Sequence, residues 1–242
     1  METWDKKKSV LWLSGIVVIT IIAGIVAGVV TNINPVSKII GILIGLFIPI
    51  SIELLRKKDP VKYYGLDFVS LKNVNIKLVI GIAVLIFAIV AIIDNLYFHL
   101  WSLVVNPNSK VPIGSDSTAL ARSNIFYLAI FTVSIGTLME ELWFRGLIQY
   151  KIKAIRFLKR INPHFAIIIQ SILFGLVHFL AAYYGTDLPI AIKVYFFVYP
   201  AVIGLILGYT NERYNSLWPG WIMHFTNNFL MVIGLTIYFR LH

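Results

Sequence analysis

Apolar residues in this chain come in long blocks separated by short polar runs. Seven blocks can be drawn, at about 10–31, 38–55, 76–101, 120–150, 163–184, 189–211 and 215–240. Each is long enough, at about 1.5 Å per residue, for a helix to cross most or all of a hydrocarbon layer roughly 30 Å thick. The pattern predicts an all-α polytopic transmembrane bundle of about seven spans, with residues 1–242 forming one integral membrane domain. Pro and Gly mark several joints, notably Asn34-Pro35, Asn162-Pro163 and Asp187-Leu188-Pro189. Arg56 to Asn75 is the most polar long connection and a place for an interfacial helix, whereas Val105 to Ser117 reads as an irregular loop. Lys6, Lys7 and Lys8 precede the first block as they would in a signal peptide. That block continues from Val10 to Val30, beyond the roughly 7–15 residues of a signal core, so it reads as a retained first helix.

Composition agrees with the blocks. The 242 residues are 59% hydrophobic and 13% charged, against about 45–50% and 25% for a soluble domain. Too little polar surface is left to coat a water-soluble globule. The formal net charge of +10 does not indicate nucleic acid. The basic residues sit between apolar blocks, as they do in cytoplasmic loops, and no aromatic-and-basic module is visible. With a cytoplasmic N-terminus, the inner segments hold 16 of the 21 Lys and Arg residues. Lys38, Lys110, Arg122, Lys193 and Arg240 fall outside. That bias predicts a multi-pass plasma-membrane protein with its N-terminus inside. The Ile- and Lys-rich composition has a prokaryotic cast. The chain has no cysteine, which removes disulfides, a thiol nucleophile and thiolate metal ligands.

Ionisable groups inside hydrocarbon cost at least about 2.5–3.5 kcal/mol each, which makes them candidates for function. Four places qualify: Asp94; Glu140-Glu141 with Arg145; His178; and His224 with Asn227 and Asn228. Glu141 and Arg145 are four apart and share a helix face suited to an ion pair. Glu140 lies about 100° further round and is left for proton transfer. A plain structural ion-pair network is the competing reading. His178 stands in an otherwise apolar block with Phe174 one turn before it, a pattern that also suits core packing. His224 and Asn228 share a face and can both donate to one point, as a developing oxyanion requires. Ordinary interhelical hydrogen bonding would use the same groups. Asn227 faces a neighbouring direction and is the weaker participant. Counted from the inner helix ends, Glu140, His178 and His224 lie roughly 12–22 Å deep. Three blocks thus bring polar groups to overlapping levels, which points to one site.

A carboxylate, two imidazoles and an amide suit the activation of water for attack on a carbonyl. No Gly-x-Ser-x-Gly elbow, His-Glu-x-x-His helix or Gly-x-Gly-Asp run is present. A zinc site built on Glu140, His178 and His224 stays open, since three protein ligands plus water is a catalytic pattern.

Glu140-Glu141-Leu142-Trp143-Phe144-Arg145-Gly146 resembles the Glu-Glu-x-x-x-Arg motif of the CAAX-protease and bacteriocin-processing family. That family includes the eukaryotic Ras-converting CAAX endopeptidase. Phe174-Gly175-Leu176-Val177-His178 is similar to its Phe-x-x-x-His motif, and His224-Phe225-Thr226-Asn227-Asn228 to its His-x-x-x-Asn/Asp motif. The lead-in Ser216-Leu217-Trp218-Pro219-Gly220 is similar too. Three motifs in order on apolar helices, within residues 120–230, are far more specific than any one alone. The resemblance implies a helical membrane endopeptidase. In it Glu140 activates water, His178 is the catalytic partner, His224 and Asn228 stabilise the oxyanion, and Glu141 and Arg145 support them. Members are often labelled metalloproteases, but a carboxylate with an amide in the third motif, and Asn being a poor zinc ligand, favour a metal-free glutamate mechanism with no cofactor and zinc as the variant. The substrate expected is a membrane-associated peptide or protein. No nucleic acid is expected as a partner, and the oligomeric state is left open.

Two other functions remain to be separated. An immunity or scaffold protein would keep the fold, cut nothing and tolerate Glu140→Gln. A transporter would use Asp94 and Glu140 as relay groups, but such proteins usually carry internal repeats, and none is visible in this chain.

Overall fold

The computed structural model describes residues 6–30, 35–56, 58–104, 126–162 and 164–241. Among these the chain is helical throughout, with no strand. The helices are α1 (Lys6–Val30), α2 (Pro35–Leu55), α3 (Pro60–Tyr63), α4 (Phe68–Lys72), α5 (Ile76–Val104) and α6 (Phe126–Glu141). α6 runs directly into a π-helical segment, Leu142–Gln149. There follow α7 (Tyr150–Lys153), α8 (Arg156–Ile161), α9 (Phe165–Gly185), α10 (Ile190–Tyr214) and α11 (Trp218–Leu241).

Each of the seven apolar blocks is helical where described. Four stretches are long and apolar enough to cross a bilayer: Ser9–Ala27, Ile76–Ile93, Phe165–Gly185 and Ile190–Tyr214. Ile40–Leu55 is a shorter apolar helix. The architecture is an all-helical membrane bundle, with four candidate spans among the described residues rather than a demonstrated seven. Arg56 to Asn75 contains two short helices, α3 and α4. The loop from Val105 to Ser117, together with Asn34 and Pro163 at the joints, lies outside the described residues.

Close packing divides the chain into two units. The first comprises Met1–Val74 and Leu138–Trp221. Here α9 packs along α10 on one side and along α1 on the other. Small residues set the α9–α10 approach, because lipid offers no hydrophobic drive between helices and close backbone contact must supply the attraction. A Cβ added to Gly204 would lie 3.1 Å from the Cα of Ser171, and one added to Gly175 would strike the Phe197 carbonyl. Gln170 Nε2 adds a bond to the Gly204 carbonyl (2.9 Å). Ile16 of α1 joins Phe144, Ile148, Ile152, Ala166, Leu173 and Phe174 in the buried core.

α2 joins this unit through a break in its own ladder. Pro49 has no N–H to offer the carbonyl of Gly45 one turn earlier. Trp143 Nε1 donates to that carbonyl instead, at 2.7 Å. A freed carbonyl at membrane depth has to find such a partner.

The polar connection is held from both ends. Asp59 caps α3 by accepting from the amides of Val61 (3.0 Å) and Lys62 (3.4 Å). Asp67 caps α4 through the Ser70 amide and hydroxyl, both at 2.9 Å. Those two bonds hold the Asp67 carboxyl below the usual carboxylate range. Between the caps, Gly65 adopts φ +62°, where a Cβ would meet Asn215 O at 2.8 Å. This turn docks on the lead-in to α11. Ser216 Oγ donates to Gly65 O (2.6 Å), Leu217 N to Tyr64 O (3.2 Å) and Trp218 Nε1 to Asp67 O (3.3 Å). Burial and the nearby Glu53 carboxylate push the Tyr63 and Tyr64 phenols well above their ordinary range. Tyr64 therefore stays a neutral donor, and its hydroxyl bonds the Pro49 carbonyl at 3.1 Å.

The second unit comprises Asn75–Thr137 and Ile222–His242. Its α5 buries Val79 and Ala83 while exposing Leu78, Ile80, Val84, Leu85 and Ile89, a surface suited to lipid. In α6, Thr137 Oγ1 bonds back to the Val133 carbonyl at 2.8 Å, which keeps a hydroxyl satisfied without a second helix. Asp94, Asn95 and His99 fall within α5, and their side chains lie outside the described residues.

Candidate functional site

The first motif sits where α6 ends and the π-helical segment begins. A π-helix closes i→i+5 bonds, so its turn is wider than an α-turn, and such segments recur at functional sites. The spacing of the motif gave no sign of it. Glu141 and Arg145 still meet as their spacing predicts: Arg145 Nη1 lies 3.1 Å from Glu141 Oε1, and both side chains are fully buried. The second carboxylate oxygen is also used, since Asn211 Nδ2 of α10 donates to Glu141 Oε2 at 3.0 Å. Each oxygen of Glu141 thus has a buried partner, one a cation and one an amide. Glu140, partly buried beside it, also acts on the Arg145 guanidinium through its charge.

Arg145 connects the first motif to the second. Its guanidinium lies 4.3 Å from the centre of the Phe174 ring, a cation–π distance. Phe174, 2% exposed, meets Phe144 edge-on at 4.9 Å and the His178 ring edge-on at 4.5 Å. The one-turn spacing of Phe174 and His178 is therefore both packing and a route from the arginine to the imidazole. His178 Nδ1 is 2.8 Å from the Phe174 carbonyl. A carbonyl only accepts, so Nδ1 carries the hydrogen, and in the neutral ring Nε2 keeps the lone pair. That nitrogen is the one suited to take or relay a proton.

The third motif lies on α11 in the second unit. His224 and Asn227 are buried, at 6% and 8% exposure. Asn227 Nδ2 donates to Asn228 Oδ1 at 3.4 Å. The structure thus joins Glu141, Arg145, Phe174 and His178 in one connected set, with Glu140 alongside. It places His224, Asn227 and Asn228 together on one helix. Among the described residues, no group of three or more His, Asp or Glu side chains is arranged to hold a metal ion.

Asn211 is the residue that sequence reasoning missed. Beyond its bond to Glu141, its Oδ1 accepts the Gly220 amide at 2.7 Å. The available signals were slight: an amide near the end of an apolar helix, and a glycine just inside the start of the next one. Trp143, which fills the Gly45 carbonyl, was quoted only as part of a motif.

Residues 122–230 match the family model described as type II CAAX prenyl endopeptidase Rce1-like. No match was found among curated proteins or among solved structures. The matched span begins ahead of the first motif and ends just past Asn228, so it contains all three motifs and both residues bonded by Asn211. Over that span, somewhat less than half of the chain, the protein is similar to the type II CAAX prenyl endopeptidases of the Rce1-like family.

Proposed function

We propose that this protein hydrolyses a peptide bond in a membrane-associated peptide or protein, with water activated by Glu140. The observation that carries the reading is the division of labour between adjacent glutamates inside a family of endopeptidases. Glu141 is held by Arg145 and Asn211, and by motif position the proton-transfer role belongs to Glu140. In this mechanism Glu140 removes a proton from water as it attacks the scissile carbonyl. His178, held as the Nδ1–H tautomer by its own helix, orients that water through Nε2 and relays the proton to the leaving amine. By motif position, His224 and Asn228 donate to the oxyanion.

Glutamate-activated water requires no metal. The zinc variant would draw on Glu140, His178 and His224 as ligands. A substrate near the cytoplasmic leaflet fits the basic inner segments.

The test compares membrane and secreted peptides from cells expressing wild type or Glu140→Gln at matched levels. New chain ends present with wild type and absent with the variant are expected. Identical peptide profiles, with biological activity retained by the variant, would overturn the reading in favour of a non-cutting immunity or scaffold protein. Repeating the comparison with a chelator separates the two hydrolytic routes: cleavage that survives chelation is expected, and cleavage restored only by zinc would replace the metal-free mechanism.

A further inference from the structure

We infer that Asn211 is a positioning residue that ties the second glutamate of the first motif to the first turn of the helix carrying the third. The inference rests on the endopeptidase reading for its functional consequence and on geometry alone for the link itself. A helix start leaves several backbone N–H groups without intrahelical partners. In α11, Ser216 Oγ takes the Trp218 amide (3.2 Å), Pro219 has no N–H to satisfy, and Asn211 Oδ1 takes the Gly220 amide (2.7 Å). The cap for Gly220 therefore comes from another helix. The same side chain spends its donor on Glu141 Oε2 at 3.0 Å. An amide can donate to a carboxylate from its nitrogen while its oxygen accepts from a backbone N–H.

Gly220 supplies an independent observation. A Cβ there would fall on the Asn211 amide, 2.7 Å from its Cγ. The glycine is thus matched to Asn211, since any larger residue would push the amide off both partners. Asn211 is only 6% exposed, so water cannot readily replace it.

The experiment uses the full chain in detergent or nanodiscs and follows hydrogen exchange at the Gly220 amide together with Glu140-dependent cleavage. Asn211→Ala is expected to speed Gly220 exchange at least tenfold and to lower kcat at least tenfold with little change in KM. Gly220→Ala is expected to match it, and the double variant to be no worse than Asn211→Ala alone, because the collision is gone. Asn211→Asp, assayed at a pH where that carboxyl is ionised, keeps the acceptor for Gly220 and loses the donor to Glu141. It should preserve Gly220 protection yet lose activity, and Asn211→Gln should recover part of both if the longer amide reaches. Slow Gly220 exchange in Asn211→Ala overturns the link. Fast exchange with unchanged kcat overturns the positioning role. Additive losses in the double variant overturn the pairing with Gly220. If Glu140→Gln leaves every cleavage intact, the endopeptidase reading fails, and Gly220 exchange still decides whether the link exists.

Discussion

Two fully buried glutamates in the first unit are neutralised in different ways. Glu141 meets Arg145, whose side chain is also completely buried, and accepts from the neutral amide of Asn211. Glu53 faces two cations: Arg56 at 3.3 Å, with a side chain 28% exposed, and Lys151 at 3.9 Å, with a side chain 6% exposed. Arg56 can keep part of its head in water, as long cationic side chains do near membrane interfaces. The Glu141 pair has no such outlet. A carboxylate beside a cation that reaches solvent is a fastening, and it tolerates rearrangement. A carboxylate closed off from solvent has to be balanced by its own neighbours, and that constraint orders the groups around it.

The comparison breaks first at Arg145. Arg145→Met should destabilise the protein by about 3–5 kcal/mol, the usual cost of leaving one buried charge without its partner. Glu53→Gln should cost less, about 1–3 kcal/mol, because Arg56 retains solvent and the loss falls on Lys151, which keeps a polar amide in place of its carboxylate. Denaturant unfolding in detergent micelles would measure both, and equal losses would erase the distinction drawn between the two sites.

A neutral cross-helix bond provides the next yardstick. Trp143→Phe removes the indole donor that fills the Gly45 carbonyl and should cost about 1–3 kcal/mol. Pro49→Ala restores a backbone N–H to that carbonyl. In the Pro49→Ala background the loss from Trp143→Phe should shrink to under about 1 kcal/mol, whereas an undiminished loss would show that the indole acts through packing.

The smallest effect belongs to a surface charge. The Asp67 carboxyl is held low by the Ser70 amide and hydroxyl. Its stabilising contribution is therefore present above the ordinary Asp value of 3.8 and fades as pH falls through the depressed one. The difference in melting temperature between wild type and Asp67→Ala should be constant near neutrality and narrow only under acid. A difference that narrows instead above pH 7 would assign the effect to another group.

The helices were legible in the sequence because an apolar block has a length and a place. The block at 76–101 became Ile76–Val104, and that at 163–184 became Phe165–Gly185. The block at 189–211 ran on to Tyr214, where Asn215 at φ 50° takes the left-handed conformation that ends the helix. The Glu141–Arg145 pair and the Phe174–His178 contact were legible for a similar reason: each lies within one turn. The Trp143–Gly45, Asn211–Gly220 and Ser216–Gly65 bonds were not. They join residues whose separation along the chain carries no period, and a carbonyl freed by proline looks like any other in the sequence. The π-helical segment escaped as well, since Leu142 to Gln149 has the composition of an ordinary α-helix.

That segment makes the site sensitive to chain length as well as to side-chain identity. A π-turn holds one more residue than the α-turn it replaces, so removing a single residue between Leu142 and Gln149 would let the stretch close as a regular helix. The residues after the deletion would then keep their chemistry but change their phase relative to those before it. Insertions and deletions that a loop absorbs without consequence would here separate Glu141 from Gln149 and the amide it sends to Gly208 O. The motif is therefore defined by register as much as by letters: its geometry depends on a count of residues that no single substitution can reveal.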